Sequence, residues 1–246
     1  MKKWIALFLC AFFAFGCSCG CGEELSADRL MSYYDDGIFV GDSIIRMLKN
    51  YVGFRQQEDA TFFANTGFYA SYSYTLEAAA TDGPAPNEVN LLFRGKETPL
   101  SRLVEKLQPG KLFLLAGLND RIGEYPEAGM AYVEAIVALV RQYAPDTQIH
   151  FLSLLPVTAH AESERPQLQK MWDAYNELLR LKCEELGVVY IDVATPLKND
   201  SGYLSIPLSH DYKYHLNDDG NAILVRTLLD FARSRYEAGL WQPETK

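Results

Sequence analysis

Short apolar runs that alternate with helical patterns are the feature that most constrains the fold of this 246-residue chain. Continuous apolar runs of this kind indicate strands buried on both faces, as in a parallel sheet. The runs cover residues 37–40, 60–65, 111–116, 148–155 and 188–193, and the main helical patterns cover 43–51, 126–143, 165–186 and 219–236. The alternation predicts an α/β fold, a three-layer αβα sandwich around a five-stranded parallel sheet.

The first 21 residues differ in composition from the rest of the chain. Two lysines precede an apolar stretch over 4–15, which is too short to cross a bilayer as a mature helix, and small residues and cysteines follow. This pattern is typical of a bacterial export signal. Residues 14–17 (Ala-Phe-Gly-Cys) resemble a lipobox, which implies lipidation at Cys17 and an extracytoplasmic protein anchored to the membrane by its N-terminal lipid. A plain secretory signal and a short uncleaved anchor are the alternatives.

We therefore expect a leader over residues 1–21, a tether over 22–34 and one folded domain over 35–246. Of the five cysteines only Cys183 falls in the predicted domain, where it lies in a helical pattern and is expected to be a core residue rather than a nucleophile. The domain is therefore not expected to rely on disulfides. The other cysteines do not have the spacing of a zinc module, so no metal is predicted. A net charge of −9 argues against nucleic acid as a partner, since such binding needs a basic surface.

Ser43 is the first candidate for chemistry. It follows the predicted strand 37–40 through Gly41 and Asp42, and it begins a helical pattern. This arrangement places its hydroxyl group at the carboxyl end of a parallel strand, where ligands bind in open α/β sheets, and beside the positive end of a helix. The simpler interpretation is that Ser43 only caps the helix.

A serine nucleophile needs a base, and the chain has four histidines: His150, His160, His210 and His215. His215 is the best candidate because it lies in the loop before the last helix, four residues after Asp211. One loop then supplies both the base and the carboxylate that orients it. His210 is a nearby competitor, whereas His150 falls in a predicted strand and His160 in a polar loop.

Two residues are candidates for donating hydrogen bonds to an oxyanion. Gly67 follows the predicted strand 60–65, and Asn119 follows the predicted strand 111–116. Because the carboxyl ends of parallel strands meet at one edge of the sheet, both are expected near Ser43. The alternative interpretation of each is an ordinary turn residue.

Taken in order along the chain, these motifs resemble the GDSL/SGNH hydrolase family. The resemblance rests on Gly-Asp-Ser-Ile at 41–44, Gly67, Gly-x-Asn-Asp at 117–120 and Asp-x-x-x-His-Leu-Asn-x-x-Gly at 211–220. It implies the family's flavodoxin-like fold and chemistry without a metal or other cofactor. It also implies a set of site residues: Ser43 as nucleophile, His215 as base with Asp211 behind it, and an oxyanion hole formed by the amides of Ser43 and Gly67 and the side chain of Asn119.

The resemblance and the leader together imply an exported serine ester hydrolase that acts through an acyl-enzyme. Its expected substrate is a small ester or an acylated glycan, with acetyl esters of polysaccharides as the leading choice. The alternatives are a lipase or lysophospholipase, an acyltransferase, and a non-catalytic binding lipoprotein. Residues 68–108 hold Tyr69, Tyr72 and Tyr74 and are predicted either to bind sugar or acyl groups beside the cleft or to pack over a sheet edge. Neither pattern nor composition indicates an oligomeric state.

Overall fold

A five-stranded parallel sheet organises the part of the chain that the computed structural model describes, which is residues 25–120, 122 and 126–243. The seven strands are β1 Gly37–Gly41, β2 Gly67–Ala70, β3 Leu91–Phe93, β4 Lys96–Thr98, β5 Lys111–Leu115, β6 Gln148–Leu152 and β7 Val189–Ile191. The parallel sheet has the order β2-β1-β5-β6-β7, while β3 and β4 form a separate antiparallel pair. The predicted α/β class with five parallel strands is confirmed. The predicted leader over 1–21, with Cys17, lies outside the described residues.

Eight α-helices and three short 3-10 helices are described around the sheet. The α-helices are α1 Ala27–Met31, α2 Ser43–Arg55, α3 Leu76–Ala80, α4 Leu100–Leu107, α5 Pro126–Tyr143, α6 Ala159–Glu164, α7 Leu168–Leu186 and α8 Asp218–Glu237. The side chain of Cys183 is buried on α7, which confirms its predicted place in the core. Among the described residues, no helix combines the length and the apolar character needed to cross a bilayer.

The two faces of the sheet carry separate hydrophobic cores. In β1 the side chains of Ile38 and Val40 belong to one core and that of Phe39 to the other, because successive residues of a strand point to opposite faces. Helices α3, α4, α5 and α7 contribute to the first core, and α1, α2 and α8 contribute to the second. This is the three-layer sandwich that the sequence pattern predicts.

The second strand does not lie where the sequence predicts. Residues 60–65 form turns rather than a strand, and Phe63 has a φ of 48°, which breaks an extended backbone. Phe62 and Phe63 are nevertheless buried, so the apolar character of this run correctly indicates burial but not a β-strand. The second strand is β2, whose register pairs Gly67 with Ile38 of β1.

The predicted tether over 22–34 is also wrong for its described part. Residues 25–34 form α1 and the 3-10 helix Ser32–Tyr34, and the side chains of Tyr33 and Tyr34 are buried between the sheet and α8. The Tyr34 hydroxyl donates a hydrogen bond of 2.6 Å to the carbonyl oxygen of Leu228. The folded domain therefore includes residues from Leu25 onwards rather than from residue 35.

The irregular segment 68–108 is mostly a packed crossover. It contains β2, α3, the β3–β4 pair and α4, and its apolar side chains join the first core. Its tyrosines lie in different environments, since Tyr74 is buried whereas Tyr72 is 60% exposed. Packing over the sheet therefore accounts for most of this segment, and Tyr72 is the aromatic ring that it presents to solvent.

Candidate active site

Ser43 is the first residue of α2 and directly follows the turn that ends β1. Asp42 caps this helix, since its Oδ1 accepts a hydrogen bond of 2.9 Å from the amide of Ile44. The interpretation of Ser43 as the helix cap is therefore wrong, and its hydroxyl makes a different contact. Gly41 is needed in the turn because a Cβ there would collide with the carbonyl oxygen of Leu115 on β5.

Two hydrogen bonds in series join Ser43 to the loop before α8. Ser43 Oγ lies 2.8 Å from His215 Nε2, and His215 Nδ1 lies 2.6 Å from Asp211 Oδ2. With the imidazole proton placed on Nδ1, that nitrogen donates to the carboxylate and Nε2 accepts from the serine hydroxyl. The structure thus brings together the three residues that the sequence predicts as nucleophile, base and orienting carboxylate, in an arrangement suited to nucleophilic catalysis.

The other carboxylate oxygen of Asp211 shapes the loop that carries His215. Asp211 Oδ1 accepts hydrogen bonds from the amides of Lys213, Tyr214 and His215 at 2.8, 3.1 and 3.2 Å. Burial acts to raise the pKa of Asp211, but the hydrogen bonds from the His215 side chain and from the Lys213 and His215 amides outweigh it and lower the pKa to about 2. The four-residue spacing between Asp211 and His215 is therefore explained by a turn in which the backbone amides of 213–215 point at the ionised Asp211 carboxylate.

The remaining histidines are placed away from this series of contacts. His150 is buried within the sheet, where burial lowers its pKa to about 4, and His160 is exposed on α6. His210 is exposed on the same loop as His215, and its amide donates a hydrogen bond of 2.7 Å to the carbonyl oxygen of His215. No described hydrogen bond joins any of these three side chains to Ser43, so His215 is the base candidate.

Gly67 does not reach the edge of the sheet where Ser43 lies. It is the first residue of β2 and pairs with Ile38, near the start of β1. Because a strand rises about 3.3 Å per residue, Gly67 lies beside a point about 10 Å before the end of β1 at Gly41. The prediction that its amide lies at this edge is wrong, because the second strand of the sheet is β2 and not residues 60–65, and Gly67 begins that strand rather than following it.

The backbone after β2 occupies the position expected for Gly67. The amide of Ser71 donates a hydrogen bond of 3.2 Å to the carbonyl oxygen of Gly41, and the guanidinium of Arg46 on α2 lies 4.5 Å from the centre of the Tyr72 ring. The chain therefore passes directly beside the start of α2. The amides of Tyr72 and Ser73 donate no hydrogen bond to another described residue, which makes them candidate oxyanion donors that the sequence analysis missed. The aromatic pair at 68–69 was the available signal for this strand.

Asn119 lies at the edge where it is predicted. Its Nδ2 donates a hydrogen bond of 3.1 Å to the carbonyl oxygen of Tyr74, and the adjacent Asp120 accepts one of 2.9 Å from the amide of Leu76 at the start of α3. These contacts hold the segment 71–75 against the carboxyl end of β5. Asp120 acts here as a capping carboxylate. Within residues 25–120, 122 and 126–243, no group of three or more His, Cys, Asp or Glu side chains is arranged to hold a metal ion.

Asp42 is a buried acid whose state the sequence does not reveal. Its side chain is fully buried, and its Oδ2 has no hydrogen-bond partner among the described residues. Burial raises its pKa to about 7; the amide of Ile44 opposes this rise, and the Asp120 carboxylate adds to it. A carboxyl group next to Ser43 therefore keeps its proton up to nearly neutral pH.

The sequence of this chain matches one family model, and its fold matches several solved structures. Residues 39–223 match the model of the GDSL-like lipase/acylhydrolase family. A Streptococcus pneumonia protein, provisionally described as a platelet activating factor, is 19% identical with a TM-score of 0.56, covering 84% of this chain and 91% of its own. A GDSL-like lipase from Bacteroides thetaiotaomicron is 10% identical with a TM-score of 0.57, covering 80% and 87%. A catalytic mutant of an acetylxylan esterase from Geobacillus stearothermophilus is 15% identical with a TM-score of 0.53, covering 80% and 93%. No curated protein sequence matches the chain.

Proposed function

The chain belongs to the GDSL-like lipase/acylhydrolase family and is an ester hydrolase, and on this basis we propose that it cleaves esters through Ser43, His215 and Asp211. The observation that carries the proposal is the series of contacts from Ser43 Oγ to His215 Nε2 and from His215 Nδ1 to Asp211 Oδ2, at 2.8 and 2.6 Å. Both distances are within hydrogen-bond reach, as proton transfer from the nucleophile requires.

The proposed reaction has two steps. Ser43 Oγ attacks the ester carbonyl carbon while its proton passes to His215 Nε2, and the imidazolium then protonates the leaving alcohol. A water molecule that gives its proton to His215 attacks the resulting acyl-enzyme, and the serine leaves with that proton. The ionised Asp211 stabilises the imidazolium in both steps and holds the ring in position.

The oxyanion of each tetrahedral intermediate needs donors on the other side of the carbonyl carbon. We propose the amide of Ser43, the Nδ2 of Asn119 and an amide of the segment 71–73 for this role. The contacts that support it are the hydrogen bond between Ser71 and Gly41 and that between Asn119 and Tyr74, which hold these groups at the edge where Ser43 lies.

As substrate class we propose acetyl esters on carbohydrates. An open cavity of about 300 Å³ beside Asn119 is lined by the polar residues Thr75, Glu77, Asp120 and Tyr132, and also by Ile122, Ala128 and Gly129. Such polar groups suit the hydroxyl groups of a sugar, whereas a long acyl chain would remove water from them without replacing its hydrogen bonds. One protein that shares the fold is an acetylxylan esterase, which is consistent with this choice. Hydrolysis of longer acyl esters and transfer to a sugar are the alternatives.

Kinetics with 4-nitrophenyl esters of graded chain length test this proposal on soluble protein that begins after Cys21. Ser43→Ala and His215→Ala should each lower kcat on the order of 10³-fold or more, because the members of a triad act as a unit. Asp211→Ala should lower it less, since the base itself remains. Ser234→Ala, which alters an exposed serine on α8, is the matched control and should retain full activity.

The same measurements decide between the substrate classes. The highest kcat/KM on the acetyl ester supports the carbohydrate esterase, whereas a steady rise with chain length favours a lipase. Formation of an acylated sugar when a sugar acceptor is added would identify an acyltransferase. Equal rates for Ser43→Ala and the unmodified protein would end the serine mechanism.

We further propose that the protein is exported and anchored by a lipid on Cys17. The support is the composition of residues 1–21, with their basic start, apolar stretch and Ala-Phe-Gly-Cys run. Growth of expressing bacteria with a clickable fatty acid should label the unmodified protein in the membrane fraction, and Cys17→Ser should abolish the label. Equal labelling of both proteins would exclude Cys17 as the lipidated residue.

A further inference from the structure

An open pocket of about 420 Å³ lies between α2 and the loop that leads into α8, apart from the cavity beside Asn119. One wall is a face of α2 that includes Met47, Asn50 and Phe54, and the opposite wall includes His210, Asp218 and Asn221. None of these residues takes part in the proposed reaction. The pocket is therefore a second concave surface that ester hydrolysis alone does not explain.

The pocket follows the nucleophile along one face of α2. Met47, Asn50 and Phe54 are four, seven and eleven residues after Ser43, a spacing that repeats on one side of a helix. With a rise of 1.5 Å per residue, Phe54 lies about 16 Å along the helix axis from Ser43. The acetyl group and the sugar ring that bears it do not extend this far, so an occupant of the pocket that is joined to the ester belongs to a longer chain.

The lining combines an exposed ring with uncharged polar groups. Phe54 is 53% exposed, and Asn50 and His210 are also exposed residues. Asn221 is buried in the wall, and its Oδ1 has no hydrogen-bond partner among the described residues. Asp218 adds a carboxylate and no lysine or arginine lines the pocket, so an anionic ligand is disfavoured.

We propose that this pocket is a subsite for a neutral polysaccharide, and that it binds sugar units distant from the ester that Ser43 attacks. The face of a sugar ring is apolar and packs on an aromatic ring such as Phe54, while its hydroxyl groups both donate and accept hydrogen bonds. Asn50, His210 and Asp218 supply acceptors and donors for those hydroxyl groups. The inference rests on the proposed carbohydrate esterase function and extends it from the reacting sugar to the polymer.

Paired kinetics on a polymeric and a small substrate test the subsite. For each protein we take the ratio of kcat/KM on acetylated xylan to kcat/KM on 4-nitrophenyl acetate. Phe54→Ala and Asn50→Ala should each lower this ratio about tenfold, the size expected when one well-placed contact is lost. Leu181→Ala is the matched control, because it removes an exposed apolar side chain from α7 on the other face of the sheet, and it should leave the ratio unchanged.

Binding of unacetylated xylohexaose, followed by calorimetry on Ser43→Ala protein, gives a readout that does not depend on turnover. Adding Phe54→Ala should weaken this binding about tenfold. Hydrolysis of both substrates with an unchanged ratio, or equal binding of xylohexaose with and without Phe54, would overturn the subsite and leave the esterase proposal standing. Failure of the unmodified protein to hydrolyse acetylated xylan, with or without activity on the small ester, would contradict the carbohydrate esterase proposal and the subsite with it.

Discussion

At the scale of single residues, Asp42 is unusual because its ionisable side chain is buried in the folded protein. Its side chain is fully buried beside Ser43, and only one of its carboxylate oxygens has a hydrogen-bond partner among the described residues. Since burial raises its pKa in the folded protein to about 7, folding favours the protonated form. The contribution of Asp42 to stability is therefore fully present at low pH and is lost as the pH rises towards 7.

Replacing Asp42 with asparagine should remove this pH dependence. Asparagine keeps an oxygen that accepts from the Ile44 amide and cannot ionise, so the free energy of unfolding of Asp42→Asn should rise relative to the unmodified protein between pH 4 and pH 7. The relative gain should be up to about 4 kcal/mol, the energy equivalent of the pKa difference between the folded and unfolded states. Urea unfolding at both pH values measures it. A constant difference between the two proteins would show that Asp42 is ionised in the folded state.

At the scale of elements, the N-terminal segment 25–34 is part of the core. Its buried apolar side chains are those of Leu25, Leu30, Met31, Tyr33 and Tyr34, and the rings of Tyr34 and Phe113 on β5 have centroids 5.0 Å apart. The segment thus packs against one face of the sheet and against α8.

Deletion of residues 22–34 should prevent stable folding. The deletion removes five buried apolar side chains and exposes the core residues that they cover. We expect this to lower the free energy of unfolding by on the order of 10 kcal/mol, which is comparable to the whole stability of a typical domain. Circular dichroism and thermal unfolding compare this deletion with the protein that begins after Cys21. Tyr34→Phe, which removes only the hydrogen bond to Leu228, should cost about 1 kcal/mol. An unchanged melting temperature in the deletion would restore the view of this segment as a tether.

Some helices and strands can be predicted from the sequence pattern and others cannot. The parallel strands β1, β5, β6 and β7 are predictable because their apolar runs are continuous and bounded by turn residues. The run 60–65 has the same apolar character, but its side chains are buried in turns, and no local pattern separates these two forms of burial. Residues 25–34 are too short to show helical periodicity, and their burial depends on α8, which is distant in the sequence.

The candidate site divides in a similar way. Ser43 and Asn119 are placed correctly from the sequence because each closely follows the end of a strand, and such points converge at one edge of a parallel sheet. Asp211 and His215 are placed correctly because they share the loop that leads into α8. Gly67 fails because its predicted place depends on the misassigned strand 60–65. The protonated state of Asp42 depends on packing from all sides, which a local pattern does not record.

At the scale of the whole molecule, the candidate site joins residues from the two ends of the domain. Ser43 and His215 are 172 residues apart in the chain, and the hydrogen bond between Tyr34 and Leu228 spans 194 residues. Contacts between residues so distant in the sequence form only after the chain between them has folded into the sheet. Under the proposed mechanism, the nucleophile Ser43 is synthesised early and its base His215 late, so Ser43 has no base to accept its proton until most of the chain is complete. Under the proposed mechanism, we expect any fragment that ends before His215 to be inactive as an esterase, because it lacks the base that Ser43 contacts.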